Sequence, residues 1–471
     1  MILRRILAAS IFLGALAATK LDAQPDYQLA GTALSPAPAD PAIAAALAQV
    51  SPEHIRHTIE TLVSFGNRST LSSMETDLKP GTGINAAADW IAGQFDAISK
   101  ECNGCLEVKR DTFTKETALR IPQPTTLTNL YAILRGSDAT AARRMYLVTG
   151  HYDSRNSLNE NDHDPAPGAN DDASGVAVSL ECARVLSKLH LHATLVFVAV
   201  AGEEQGLYGS THLAQLAKLE GWELEGVLNN DIVGGNTTPG DALQLKDRVR
   251  VFSEGVSAAL TGAPALGEVQ DMDDAPSRQL ARAVAEVARI YFAGNGGEPA
   301  FTPVLIARPD RYLRGGDHTS FNREGFAAVR FTEWREDFNH QHQNVRVENG
   351  IQFGDLLEFV DFDYVAKVAR LNAATLATLA SSPGEPTEVK IVAGNLENST
   401  TLSWKAPLSI GPNLRYELVW RETDAPDWQR GVVVPTTETG AVTTTVPVSK
   451  DNVIFGVRAV AGVHRGIVVT P

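Results

Sequence analysis

Between residues 127 and 333 short, uniformly apolar runs alternate with stretches whose apolar residues recur every three or four positions. LYAIL (130–134), MYLVTG (145–150), TLVFVAVA (194–201), GVLNND (226–231), RVRVF (248–252) and AAVRFTE (327–333) are too short for surface helices. Their continuous apolarity predicts strands covered on both faces. SGVAVSLECARVLSKL (174–189), THLAQLAKL (211–219) and SRQLARAVAEVARIYF (277–292) lie between them with helical periodicity. The alternation predicts an α/β fold, a mostly parallel mixed sheet sandwiched by helices. In such a fold the chemistry is expected in loops beyond the carboxyl ends of the strands.

Around this region the pattern changes. Ser51, Pro52 and Glu53 combine an N-cap, a first-turn proline and a first-turn acid, and predict a helix through HIRHTIETLVSF. GTGINA (81–86) imitates a dinucleotide fingerprint, but the polar SSMETDLKP before it supplies no strand, so its glycines read as a loop. A long helical stretch over 355–380 ends at SSPGEP. Beyond it TEVKIVAG, TTLSWKAP, LRYELVWRE, RGVVVP, AVTTTVPV and VIFGVRAV alternate with period two, which predicts a small all-β sandwich. With Trp404 and Tyr416 on neighbouring strands, this part resembles a fibronectin type III module.

The expected organisation is a signal peptide over 1–23, a flexible Ala/Pro-rich lead-in or pro-segment over 24–50, an α/β domain over 51–380, a linker over 381–386 and the sandwich over 387–471. The first assignment rests on Arg4 and Arg5, an apolar stretch over 6–18 and the small Ala23, a secretory pattern too short to span a membrane. A secreted or periplasmic protein with no membrane span in its mature form is the expectation.

Composition narrows the partners. Among 471 residues, 44% are hydrophobic and 21% charged, an ordinary globular balance, and the net charge of −15 argues against nucleic acid. CNGC (102–105) lacks the second half of a zinc knuckle, so in an exported chain its cysteines predict a small-loop disulfide, and Cys182 within a helical stretch predicts a buried thiol.

The strand ends carry the chemistry. MYLVTG closes on GHYDSR, placing His151 and Asp153 on one face, where a ligating histidine finds a carboxylate for its other ring N–H. PGANDDASG puts Asp171 and Asp172 at the mouth of a helix, one able to reach a metal and the other to cap. TLVFVAVA runs into AGEEQG, so Glu203 and Glu204 serve one site only if the chain turns there. GVLNND ends on Asp231, and FNHQHQN offers His340 and His342. Two histidines and a set of carboxylates outside one sheet suit zinc, with cobalt or manganese as substitutes.

Together GHYDS, PGANDDASG, AGEEQGLYGS, NND and the late histidine resemble the M28 family of di-zinc exopeptidases, typified by secreted bacterial aminopeptidases. The resemblance implies two zinc ions per chain, one on His151 and Asp231, the other on Glu204 and His342, with Asp171 shared, Glu203 as general base and Asp153 beside His151. It implies a peptide substrate cleaved at its N-terminus. A carboxypeptidase or dipeptidase on the same scaffold is the alternative, with Arg311, Tyr312 or Arg314 meeting a terminal carboxylate. A single-zinc glutaminyl cyclase and a catalytically inactive receptor-like ectodomain fit less well, because no ligand of the set is missing. Asn170 departs from the family, where an acid is frequent, and GGDHTSF places Asp317 and His318 near the expected substrate pocket.

Overall fold

The computed structural model describes residues 25–256, 274–292, 294, 299–407, 413–435 and 440–471. The expected signal peptide lies outside the described residues.

Eight strands form the main sheet: β1 (Leu106–Lys115), β2 (Thr125–Leu134), β3 (Arg144–His151), β4 (Thr194–Val200), β5 (Glu223–Asn230), β6 (Arg248–Ser253), β7 (Thr302–Ile306) and β8 (Ala328–Glu333). Their order across the sheet is β1-β2-β4-β3-β5-β8-β6-β7. Pairs β3/β4, β3/β5, β5/β8 and β6/β7 are parallel, while β1/β2, β2/β4 and β6/β8 are antiparallel. Strands β3 and β4 are buried at every position, which is why their sequences show no polar alternation. The pleat sends Leu195, Phe197 and Ala199 of β4 into one core and Val196, Val198 and Val200 into the other.

Helices cover both faces. One is packed by Pro52–Ser64, Gly83–Glu101, Ala173–Leu186, Pro276–Tyr291 and Phe362–Ser381, through residues such as Ile59, Phe95, Val178, Val284 and Leu376. The other receives Tyr208–Leu219 through Leu213 and Ala214. Each large apolar side chain buried this way contributes about 1.5–3 kcal/mol. A close approach aligns helix and sheet: a Cβ at Gly175 would stand 2.1 Å from the Asn230 carbonyl oxygen, and one at Gly150 would stand 2.4 Å from the Gly175 carbonyl carbon. Only glycine at both positions lets the helix of residues 173–186 begin directly over the ends of β3 and β5.

Two strands escape the apolar-run criterion. β1 is a polar, half-exposed strand and β7 is short and only partly covered, so neither has the pattern of a central strand. Cys102 and Cys105 are disulfide-bonded at the turn into β1, and Cys182 is buried.

The C-terminal part consists of a three-stranded sheet (Thr387–Ile391, Thr400–Lys405, Ala441–Val446) and a second sheet built on Arg415–Glu422, Arg430–Pro435 and Val453–Ala461. Trp404 and Tyr416 meet edge to face between them, with ring centroids 5.3 Å apart.

The flexible lead-in expected before residue 51 is instead tied down from Asp26 onward. Tyr27 is buried in the sandwich core, Thr32 and Ala33 pair with Gly431 and Arg430, and Ile43 and Leu47 enter the α/β core. A few apolar anchors suffice in a segment whose average composition reads as loop. The 381–386 linker is likewise held: the Ser382 hydroxyl lies within hydrogen-bond distance of the Thr378 and Arg465 carbonyl oxygens, at 2.7 and 2.9 Å, and Arg144 donates to the Ser382 carbonyl at 2.9 Å.

Candidate metal centre

β4 stops at Val200, and the chain turns through Gly202, whose φ is +72° and where a Cβ would strike the Leu127 side chain at 2.4 Å. Residues Glu203–Gly206 form a single helical turn. Asp153 pins it, accepting the Glu203 amide at 3.3 Å, the Glu204 amide at 3.1 Å and the Thr70 hydroxyl at 3.2 Å. The turn brings two successive carboxylates to one site, which a continuing strand could not do.

His151, at the end of β3, is fully buried. Its Nδ1 lies 3.1 Å from the Asp153 carbonyl oxygen and 3.6 Å from Asp153 Oδ1, so the nearer partner is the backbone carbonyl rather than the expected carboxylate. That contact favours a proton on Nδ1 and leaves Nε2 a lone pair for a cation. Nε2 faces Asp171 Oδ1 at 3.2 Å and Asp231 Oδ2 at 3.9 Å. On the far side, His342 Nε2 is 2.9 Å from Asp171 Oδ2 and 3.0 Å from Glu204 Oε1. Two groups of donor atoms result, His151 with Glu203 and Asp231, and Asp171 with Glu204 and His342, each set within 4.8 Å. Asp172 serves otherwise: its carboxylate caps the 173–186 helix at the Gly175 amide, 2.8 Å, and accepts the His151 amide, 3.0 Å.

Burial opposes a charge on His342, but the Glu204 and Asp171 carboxylates raise it to about 10. Burial would raise Asp171, yet His342 and His151 hold it well below the ordinary carboxylate range. Burial pushes Glu203 well above that range, with Asp231 and Glu204 adding to the shift against the pull of His151. Protons here balance a crowd of carboxylates, a task divalent cations perform with more charge. His151 Nε2 and Glu204 Oε1 are buried without a hydrogen-bond partner among the described residues, and both look into the cluster. Such orphaned donors, all nitrogen and carboxylate oxygen, fit zinc.

The sequence profile of Peptidase family M28 matches residues 129–346. A probable zinc metalloprotease of Pyrenophora teres f. teres is 45% identical over 436 residues, covering 91% of this chain and 86% of the relative. One from Pyricularia oryzae is 45% identical over 435 residues, covering 89% and 82%. The chain belongs to peptidase family M28. Its fold is shared with the Legionella pneumophila LapA aminopeptidase (TM-score 0.50, 20% identity, 75% of this chain and 79% of that one) and with the Macrostomum lignano glutaminyl cyclase (TM-score 0.50, 16% identity, 74% and 95%). The M28 chain is a zinc metallopeptidase.

Several further side chains around the centre of this M28 peptidase stand outside the donor set. His340, the open alternative to His342, stacks on Phe359 with centroids 3.5 Å apart, and its Nδ1 faces Thr238 Oγ1 at 3.1 Å and Asp337 Oδ2 at 3.7 Å instead of the donor groups of the centre. Asn170 donates to Glu333 Oε2 at 3.1 Å and accepts the Gly234 amide at 2.6 Å, a donor-and-acceptor role that an ionised acid could not fill. Asp317 and His318 are buried outside the cavity lining, His318 Nε2 lying 2.9 Å from the Pro309 carbonyl oxygen, and burial pushes Asp317 up to about 7. Tyr312 is exposed beneath Arg308 rather than aimed inward.

Other residues of the peptidase matter more than the sequence suggested. Buried Arg330 grips Asp231 Oδ1 at 2.7 Å, Gln341 donates to Asp171 Oδ2 at 2.9 Å, and Asp355 accepts the Asp171 amide at 2.7 Å. Arg330 had a signal, a charge inside the apolar run AAVRFTE. Gln341 and Asp355 had none. Above the centre opens a cavity of about 420 Å³ lined by Asp171, Glu203, Glu204, Asp231 and His342, by Leu207 and Leu313, and by Arg120, Arg155, Arg311 and Arg314 among others.

Proposed function

We propose that this M28 peptidase is an exported aminopeptidase that holds two zinc ions and removes N-terminal residues from peptides. The observation that carries the reading is the position of Asp171 between the two histidines, Oδ1 toward His151 and Oδ2 toward His342. His151 and Asp231 would hold one ion, Glu204 and His342 the other, and Asp171 would share its two oxygens between them. When bound, the ions supply Lewis acidity and lower the pKa of a water. Glu203 takes the proton of the attacking water and returns it to the leaving amine. The three side chains on its side of the cluster, His151, Asp231 and Asp171, already provide three donors, which frees Glu203 for that work. Asp153 fixes the Glu203–Glu204 turn through its carboxylate and orients His151 through its carbonyl.

The N-terminal secretory pattern and the Cys102–Cys105 disulfide support export. The sheet composition of the C-terminal sandwich supports the fibronectin type III resemblance, and among the described residues no donor of the metal centre comes from it.

Free, N-acetylated and C-amidated forms of one peptide long enough to keep its C-terminus clear of the site, compared alongside elemental analysis of the purified protein, test the proposal. Cleavage blocked by acetylation, indifferent to amidation and accompanied by two zinc ions is the expected result. Cleavage blocked by amidation alone moves the assignment to a carboxypeptidase.

A further inference from the structure

The cavity above the metal centre contains guanidinium groups that the hydrolytic chemistry does not use. Arg120 Nη1 donates to the Glu204 carbonyl at 2.9 Å, and Arg314 Nη1 donates to Gln341 Oε1 at 3.0 Å. Both partners are neutral, and among the described residues no ion pair is formed by either arginine. Arg155 Nη1 donates to the neutral Asn159 Oδ1, while its Nε, 3.8 Å from Glu204 Oε2, is buried with no hydrogen bond of its own. Arg311 differs, being matched by Asp310 at 3.1 Å and Glu336 at 2.7 Å.

Three guanidiniums whose hydrogen bonds all go to neutral groups stand in one concave site, in a chain whose net charge is −15. They come from three separate segments, before β2, after β3 and after β7, so no single surface turn accounts for them. The carboxylates of the same cavity belong to the metal centre and are committed there. Guanidinium forks are matched by carboxylates, and a field focused in a cavity selects an anionic ligand group. Arg120 touches Glu204 and Arg314 touches the neighbour of His342, so the forks lie about one residue from the hydrolytic groups. Leu207 and Leu313 supply apolar wall for the intervening carbons.

We propose that Arg120, Arg155 and Arg314 bind a substrate carboxylate within one residue of the scissile bond. Two sources present that group, the side chain of an N-terminal Asp or Glu and the terminal carboxylate of a dipeptide. The proposal rests on the exopeptidase reading of the centre.

Two hydrolytic arms separate the sources. Glutamyl and glutaminyl p-nitroanilides, which have no terminal carboxylate, are compared in the first, and Leu-Gly and Leu-Gly amide in the second. A preference of at least tenfold for the carboxylate is expected in one arm, appearing mainly in KM and identifying the source. Arg314→Gln and Arg120→Gln should each reduce it by about tenfold to a hundredfold, with Arg314→Lys restoring part. Metal content and Tm, measured on each variant, identify any that fail to fold. Calorimetric titration of the zinc-loaded protein with glutamate, glutamine, Leu-Gly and Leu-Gly amide reads the same site without turnover. If no unblocked peptide is cleaved, the exopeptidase reading fails while the titration still decides the carboxylate site. Equal binding and equal turnover of charged and neutral ligands, or a preference that survives in both Gln variants, overturns the proposal.

Discussion

Glu203 and Glu204 are adjacent in the chain yet belong to different donor groups: Glu204 Oε1 lies 3.0 Å from His342 Nε2, whereas Glu203 falls with His151 and Asp231. The one-turn helix after β4 achieves this by pointing successive side chains about 100° apart instead of to opposite faces. The roles should separate on substitution. Glu203→Gln is expected to retain both metal ions and lose about two to four orders of magnitude in kcat. Glu204→Gln is expected to lose one ion. Elemental analysis and kinetics on both variants check this, and exchanged phenotypes would assign the base to Glu204.

Metal removal should affect stability as well as rate, because the cluster holds more carboxylates than its histidines can neutralise. Ligand saturation at a hundred times Kd stabilises a fold by about 2.7 kcal/mol per site. Treatment with a chelator is therefore expected to lower Tm and abolish turnover, and zinc should restore both. Full activity with a single ion per chain would rule out the shared role of Asp171.

The sequence made the main sheet and the metal centre legible for one physical reason: buried central strands are apolar along their whole length, and the chemistry stands where they end. TLVFVAVA followed by GEE is a boundary that composition alone reveals. The partners that hold those residues were less visible, because support comes from distant positions of ordinary type. Gln341 and Asp355 carry no local pattern, and only the charge of Arg330 in an apolar strand betrayed its task. Edge strand β7 is obscured because it is short and only partly covered. The anchors of the ordered segment before residue 51 carry little signal, since Tyr27, Ile43 and Leu47 are few among alanines and prolines.

Arg330 is expected to govern metal affinity without touching the cavity. It is fully buried, 2.7 Å from Asp231 Oδ1 and 3.6 Å from Asp310 Oδ2. Arg330→Gln should release Asp231 from its held orientation and leave Asp310 short of a counter-charge, at a cost of about 3–5 kcal/mol for a broken buried pair. Zinc titration should show weakened binding of one ion, with the second close to wild type. Equal weakening at both positions would point to general unfolding.

Glu333 should make the protein less stable as pH rises. Its carboxyl is fully buried at the end of β8, accepts the Asn170 side-chain N–H and the Asn236 amide, and is pushed up to about 8 by burial against the opposing effect of those hydrogen bonds. The folded value lies above the unfolded one of about 4.3, so the folded state binds the extra proton between them. The contribution is fully present below the unfolded value and is lost as pH climbs through the folded one, on the order of a few kcal/mol across the window. Glu333→Gln keeps an acceptor for both donors and cannot ionise. Its Tm relative to wild type should therefore be higher at pH 8 to 9 than at pH 5, with metal-depleted samples compared throughout so that zinc binding does not enter. A Tm difference that is the same at both pH values would show that Glu333 is ionised in the fold or that another group neutralises it.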